Sequence, residues 1–205
     1  MKLPDFLESS HPLINPLLDW SDEDLVQAFQ EKPQEGRFFI AIFCKYAALS
    51  YSLLTNKAPS QIQVDYIFAK VWRNLFFELR TLPPDKMHGS NPNNLGLQAW
   101  IFNKTAMSIH SEDIPSIEEI PYVMDAAPLP FWCYIQIALD QVSPLSRLLL
   151  VLSETFRWSP AKILSFMKME GQEFSPPQLE AAMKQANQEL QGFIPDDVQE
   201  IYAAG

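Results

Sequence analysis

Large apolar side chains recur every three or four positions along most of this chain, and nowhere do they alternate over a strand's length. LVQAF after Asp22, FFIAIFCKYAALSYSLL (38–54) and VDYIFAKVWRNLFFEL (64–79) therefore predict three helices, each with a face for a core. Ser21 with Asp24 three residues on marks the first start, and the acids at 22–24 suit the positive end of a helix. Breaks are expected at EKPQEG, NKAPS and LPPDKMHGSNPNNLG, where proline meets polar or glycine neighbours. A fourth helix is expected from about Leu97 to His110. Four more follow: from about Phe131 to Gln141, from Pro144 to about Phe156, from Ser159-Pro160, and from Ser175 to Leu190. The fold class is all-α.

Between the two helical blocks, EDIPSIEEIPYVMDAAPLP carries four prolines and no basic residue, which suits an extended linker. Its isoleucines and Tyr122 imply that it lies against a surface. The expected organisation is an N-terminal arm (1–20), a helical domain (21–111), the acidic linker (112–130), and a second helical domain with a C-terminal extension (131–205). The arm, with Phe6, Leu7, Leu17, Leu18 and Trp20, reads as an apolar strap over the first domain, with a docking segment as the alternative. Ile194, Val198, Ile201 and Tyr202 suggest a short final helix that packs back.

Composition narrows the chemistry. The chain has 205 residues, 47% of them hydrophobic, and only 6 glycines. That is enough apolar material for a core, and no GxGxxG, GxxxxGK[ST] or GxSxG pattern occurs. Cys44 and Cys133 lie in apolar aromatic surroundings and read as buried free thiols. His11, His88 and His110 have no metal-ligand spacing, and the pair Asp196-Asp197 reads as a solvated tail. No enzyme chemistry, cofactor, metal or small-molecule substrate is expected. The N-terminus lacks the basic start and unbroken apolar run of a signal peptide, and no stretch reads as a membrane span, so the expected location is cytoplasmic. The formal charge of −10 falls mostly on the linker and the C-terminal third, which argues against a conventional basic nucleic-acid module there.

FFIAIFCKYAALSYSLL, then IFAKVWRNL, then LGLQAWIFNKTAMSI, then a linker and ALDQVSPLSRLLLVL ahead of the last two helices, are specific in combination. In this order they resemble a small two-domain sigma factor of bacterial RNA polymerase, the extracytoplasmic-function type of the sigma-70 family, over roughly residues 22–192. Phe39, Tyr46, Tyr51, Phe68, Val71, Trp72, Arg73, Asn74 and Leu75 carry it in the first domain. In the second, Leu139, Pro144, Arg147, Leu150, Ser159, Ile163, Ser175, Leu179, Ala186 and Leu190 match the scaffold of a helix-turn-helix.

The resemblance implies a transcription protein that binds core RNA polymerase through Asp65, Lys70, Trp72, Arg73 and Asn74. It implies promoter contacts at Trp100 and Lys104 in the fourth helix and at Gln178, Lys184 and Gln185 in the last. The departures fall on the DNA surfaces, on the turn KMEGQEF between the last two helices, and just before IFAKVW, where IQVD leaves only Asp65. In NKTAMSIHSED, where the family usually runs into a basic cluster, Lys104 is the only fixed cation, and Lys184 is the only one on the recognition helix, where Glu180, Ala182, Gln188 and Glu189 also stand. Phosphate contacts supply most DNA affinity, so promoter binding is expected to be weak. The alternative is a sigma-derived interaction module that has lost DNA binding and docks on another protein complex.

Overall fold

The computed structural model describes residues 6–55, 60–83, 96–111, 114–120 and 128–203. Among them no strand occurs, and the helices are α1 (Asp22–Glu31), α2 (Arg37–Leu54), α3 (Gln61–Leu79), α4 (Gly96–Ser111), α5 (Leu129–Gln141), α6 (Pro144–Leu150), α7 (Pro160–Met169), α8 (Pro176–Phe193) and α9 (Asp196–Ala203). The expected breaks at 56–59 and 84–95, and linker residues 112–113 and 121–127, lie outside the described residues. Local signals account for most helix starts. Ser21, Ser60, Ser143 and Ser159 each accept a hydrogen bond from the backbone N–H three residues on, and Pro144, Pro160 and Pro176 occupy first-turn positions where no N–H is needed.

The chain divides into two compact units, residues 1–133 with 196–205, and residues 134–195. Unit 1 is built around α2. Its aromatic side chains stack against α3: Phe39 on Phe76 at 4.6 Å, Phe43 on Trp72 at 4.8 Å and Tyr51 on Phe68 at 5.1 Å, all edge-on. Such pairs each add about 0.5–1.5 kcal/mol beyond burial. α2 reaches 18 residues at mean hydropathy 1.3, so by length and composition it passes as a membrane span, contrary to the sequence expectation. More than half of that stretch is buried inside unit 1, from Phe38 through Leu54, because α1, α3, α4 and the N-terminal arm pack around it.

The arm is a strap of two short 3-10 turns (Leu7–Ser10 and Asn15–Asp19) that buries Ile14 and Leu17 and sets Phe6 edge-on to Phe43 at 5.1 Å. The linker touches the same unit where Gln63 Nε2 donates to the Pro115 carbonyl at 2.9 Å. Residues 196–203, read from sequence as an extension of the second domain, group with unit 1. Val198 and Ile201 are buried, Tyr202 donates to Glu8 at 3.0 Å and packs on Phe131 at 5.2 Å, and Asp197 accepts from the Gly36 and Arg37 N–H groups at 3.0 and 2.9 Å. A carboxylate brought from the other end of the chain thus caps the start of α2, where Gly36 has no side chain to do so. Asp197 is a structural group, and its reading as a solvated tail acid is corrected.

Unit 2 has its own core of Leu149, Leu152, Ile163, Met167 and Leu179, with Trp158, Phe166, Phe174 and Met183 packed against it. α6 runs along α8 and closes in a π turn (Val151–Thr155), while α7 ends on Gly171 at φ +77°. The Gly171 N–H reaches the Lys168 carbonyl and the Gln172 N–H reaches that of Met167, the paired bonds of a glycine-terminated helix.

Candidate functional site

α3 presents two faces because its apolar residues follow the helical period. Val64, Ile67, Phe68, Val71, Trp72, Leu75, Phe76 and Leu79 are buried. Opposite them runs a stripe of Ile62, Tyr66, Lys70, Arg73, Phe77 and Arg80, at spacings of three and four residues, with Asn74 beside it. Ile62 and Phe77 are 43% and 40% exposed, unusual for such side chains and here adjacent to three cations. Phe77 packs edge-on against Phe76 at 5.3 Å, and the Arg80 guanidinium sits 5.9 Å over the Phe76 ring.

Of the residues expected to bind polymerase, the structure places Lys70, Arg73 and Asn74 on or beside this stripe. Trp72 is not there: it is fully buried, and its indole N–H donates to the buried Ser50 hydroxyl at 2.8 Å. Neighbouring helix positions are 100° apart, so Trp72 and Arg73 cannot both face outward, and the unpaired indole would be costly without Ser50. Asp65 is half-buried and turned to internal use, accepting from the Tyr51 hydroxyl at 2.6 Å and from Gln61 Nε2 at 3.0 Å. Phe77 and Tyr66 are the aromatic members of the surface that the sequence reading missed. The signal was present, since Phe77 follows Arg73 by four positions.

The residues expected to touch DNA are largely occupied within the fold. Lys104 lies 5.7 Å over the Trp100 ring and pairs with Glu78 at 2.5 Å, so its charge is balanced by an acid on α3. Gln178 completes a capping box with Ser175, accepting from its N–H at 2.8 Å. Gln185 donates to Glu189 at 3.1 Å, and Glu189 in turn accepts from the Ser143 N–H at the start of α6. Hydrogen bonds from Ser146, Gln185 and Ser143 hold the Glu189 carboxyl below its usual range. Glu189, expected on the outer face, stays at the surface, but its carboxylate ties α8 to the start of α6. The inner stripe of α8 does fall as its period predicts, with Leu179 and Ala186 buried. Lys184 is exposed and is the only cation on α8.

Among the described residues no cluster of His, Cys, Asp or Glu has the arrangement of a metal site. Both thiols are pushed above their ordinary values by burial, Cys133 to about 12 with the nearby Arg73 charge opposing the shift. Neither is an activated nucleophile. No family model, curated protein or solved structure matches this chain.

Proposed function

We propose that this is a sigma-factor-like transcription protein that docks on core RNA polymerase through the outer stripe of α3 and takes part in transcription initiation or its regulation. The observation that carries the reading is the stripe itself: Tyr66, Lys70, Arg73, Asn74, Phe77 and Arg80 presented by a helix whose other face is locked into an aromatic core. Aromatic and arginine side chains on a rigid element are what dominate protein interfaces. In this reading unit 1 is the polymerase-binding domain, residues 112–130 are its linker, and α7 and α8 form a helix-turn-helix.

A second reading is favoured by the use of Gln178, Gln185 and Lys104 for capping and internal pairing. On it, the protein is a sigma-derived module whose α8 no longer grips promoter DNA and which regulates polymerase, or another protein complex, by docking alone.

Gel filtration of the purified chain with core polymerase tests the docking. Co-elution is expected, and Arg73→Glu with Phe77→Ala should abolish it; no co-elution of the natural chain would rule the reading out. Open-complex formation on genomic fragments then separates the two readings. Melting of any promoter supports the first, and polymerase capture without melting supports the second.

A further inference from the structure

The charge of unit 2 is divided along the chain. Residues 144–169, spanning α6 and α7, hold Arg147, Arg157, Lys162 and Lys168 against Glu154 alone, whereas residues 170–195 hold Glu170, Glu173, Glu180 and Glu189 against Lys184 alone. An anion meeting this unit is therefore drawn to the α6–α7 side and repelled by α8.

At the junction of α6 and α7 the cations are interleaved with aromatic rings. Phe156 is 59% exposed and stands 6.0 Å from Trp158, which is edge-on to Phe166 at 5.6 Å. The Lys162 ammonium lies 4.0 Å over the Trp158 ring, which keeps it at the surface beside the aromatic cluster. Arg157 sits between Phe156 and Trp158 at φ +52°, with its side chain 81% exposed and only a long 3.5 Å approach to Glu154. The Phe156 N–H closes the π turn on Val151 and the Trp158 N–H returns to Leu152, so Arg157 occupies the left-handed position where helices ordinarily place glycine. An L side chain with a Cβ there opposes the backbone preference, and strain of this kind concentrates at functional sites, as do π turns. Arg147, tied to Asp140, and Lys168, off this face of α7, lie outside the cluster.

We propose that Phe156, Arg157, Trp158 and Lys162 form a binding surface for single-stranded nucleic acid, with phosphates on the two cations and a base stacked on the exposed Phe156 ring. A cationic surface with accessible aromatic rings is the chemistry that holds single strands. The assignment goes beyond the polymerase reading and places the anion contact on a different element from α8. Its test needs no polymerase, so the two can fail separately.

The experiment is fluorescence anisotropy of a labelled single-stranded oligothymidine titrated with the full-length chain over a range of salt. Two phosphate contacts predict a slope of log affinity on log salt of about −1.4, since each contributes about −0.7 on a single strand. Arg157→Gly removes the charge while giving the backbone the residue that φ prefers, so it should fold at least as well and lower the slope by about 0.7. Phe156→Leu should weaken binding about five-fold or more at unchanged slope, and Lys184→Gln should change nothing. The proposal is overturned if the strand does not bind at low salt, if duplex or a polyglutamate peptide binds as tightly, or if Lys184→Gln rather than Arg157→Gly lowers the slope.

Discussion

The two thiols show how far side-chain chemistry here is set by burial. Cys133 is 1% exposed on α5, and taking its thiolate out of water costs enough to push the thiol up to about 12; Cys44 is shifted in the same direction by the same cause, with Glu8 adding to it. At pH 8 a thiol at that value is ionised in roughly one molecule in ten thousand. Iodoacetamide should therefore leave both cysteines unlabelled in the native protein and react with both in urea, as mass spectrometry would register. Rapid native labelling of Cys133 would mean that the core around it opens. Cys133 was legible as a buried thiol from FWCYI, because an unbroken apolar neighbourhood in sequence usually becomes one in space; Cys44, read the same way from IFCKY, is only partly buried.

At the level of the element, α3 separates packing from recognition by the 100° between neighbouring residues. Trp72→Ala removes a buried ring in contact with Phe39, Phe43 and Phe68, together with the indole N–H that the Ser50 hydroxyl accepts, so it should destabilise by about 3–5 kcal/mol. Phe77→Ala lies on the exposed side and loses mainly its edge-on pair with Phe76, so it should cost only about 0.5–1.5 kcal/mol. Urea unfolding of the two variants measures the contrast, and equal losses would refute the two-faced description of the helix. The motif VWRNL mixes both faces, which is why matching it as a block put Trp72 on the surface while passing over Phe77. α8 teaches the reverse: its inner stripe could be read from spacing alone, but Glu189 could not, because its partner Ser143 belongs to another helix.

Across the whole chain, unit 1 is closed by its two ends. The N-terminal strap and α9 meet at Glu8 and Tyr202, and Asp197 caps α2 from 161 residues away in sequence. Ending the chain after Pro195 deletes that cap, at about 1 kcal/mol, and exposes the sites of Val198 and Ile201, at about 1.5–3 kcal/mol each. A loss of at least roughly 4 kcal/mol is expected in chemical denaturation, and near-native stability would show that α9 merely rests on the surface.

The sequence by itself determined the helices and most of their starts, because the 3.6-residue period, a serine before a proline and an acid in the first turn act within a few residues of where they stand. It also determined that α8 is poor in cations and that α3 carries Lys70, Arg73 and Asn74. The tertiary structure decided what those residues are free to do. Whether Lys104 is balanced by Glu78, whether Asp65 serves Tyr51 and whether Asp197 holds α2 all depend on which side chain arrives from a distant segment. Hydrogen bonds and ion pairs are short-ranged, while the chain that delivers their partners is long.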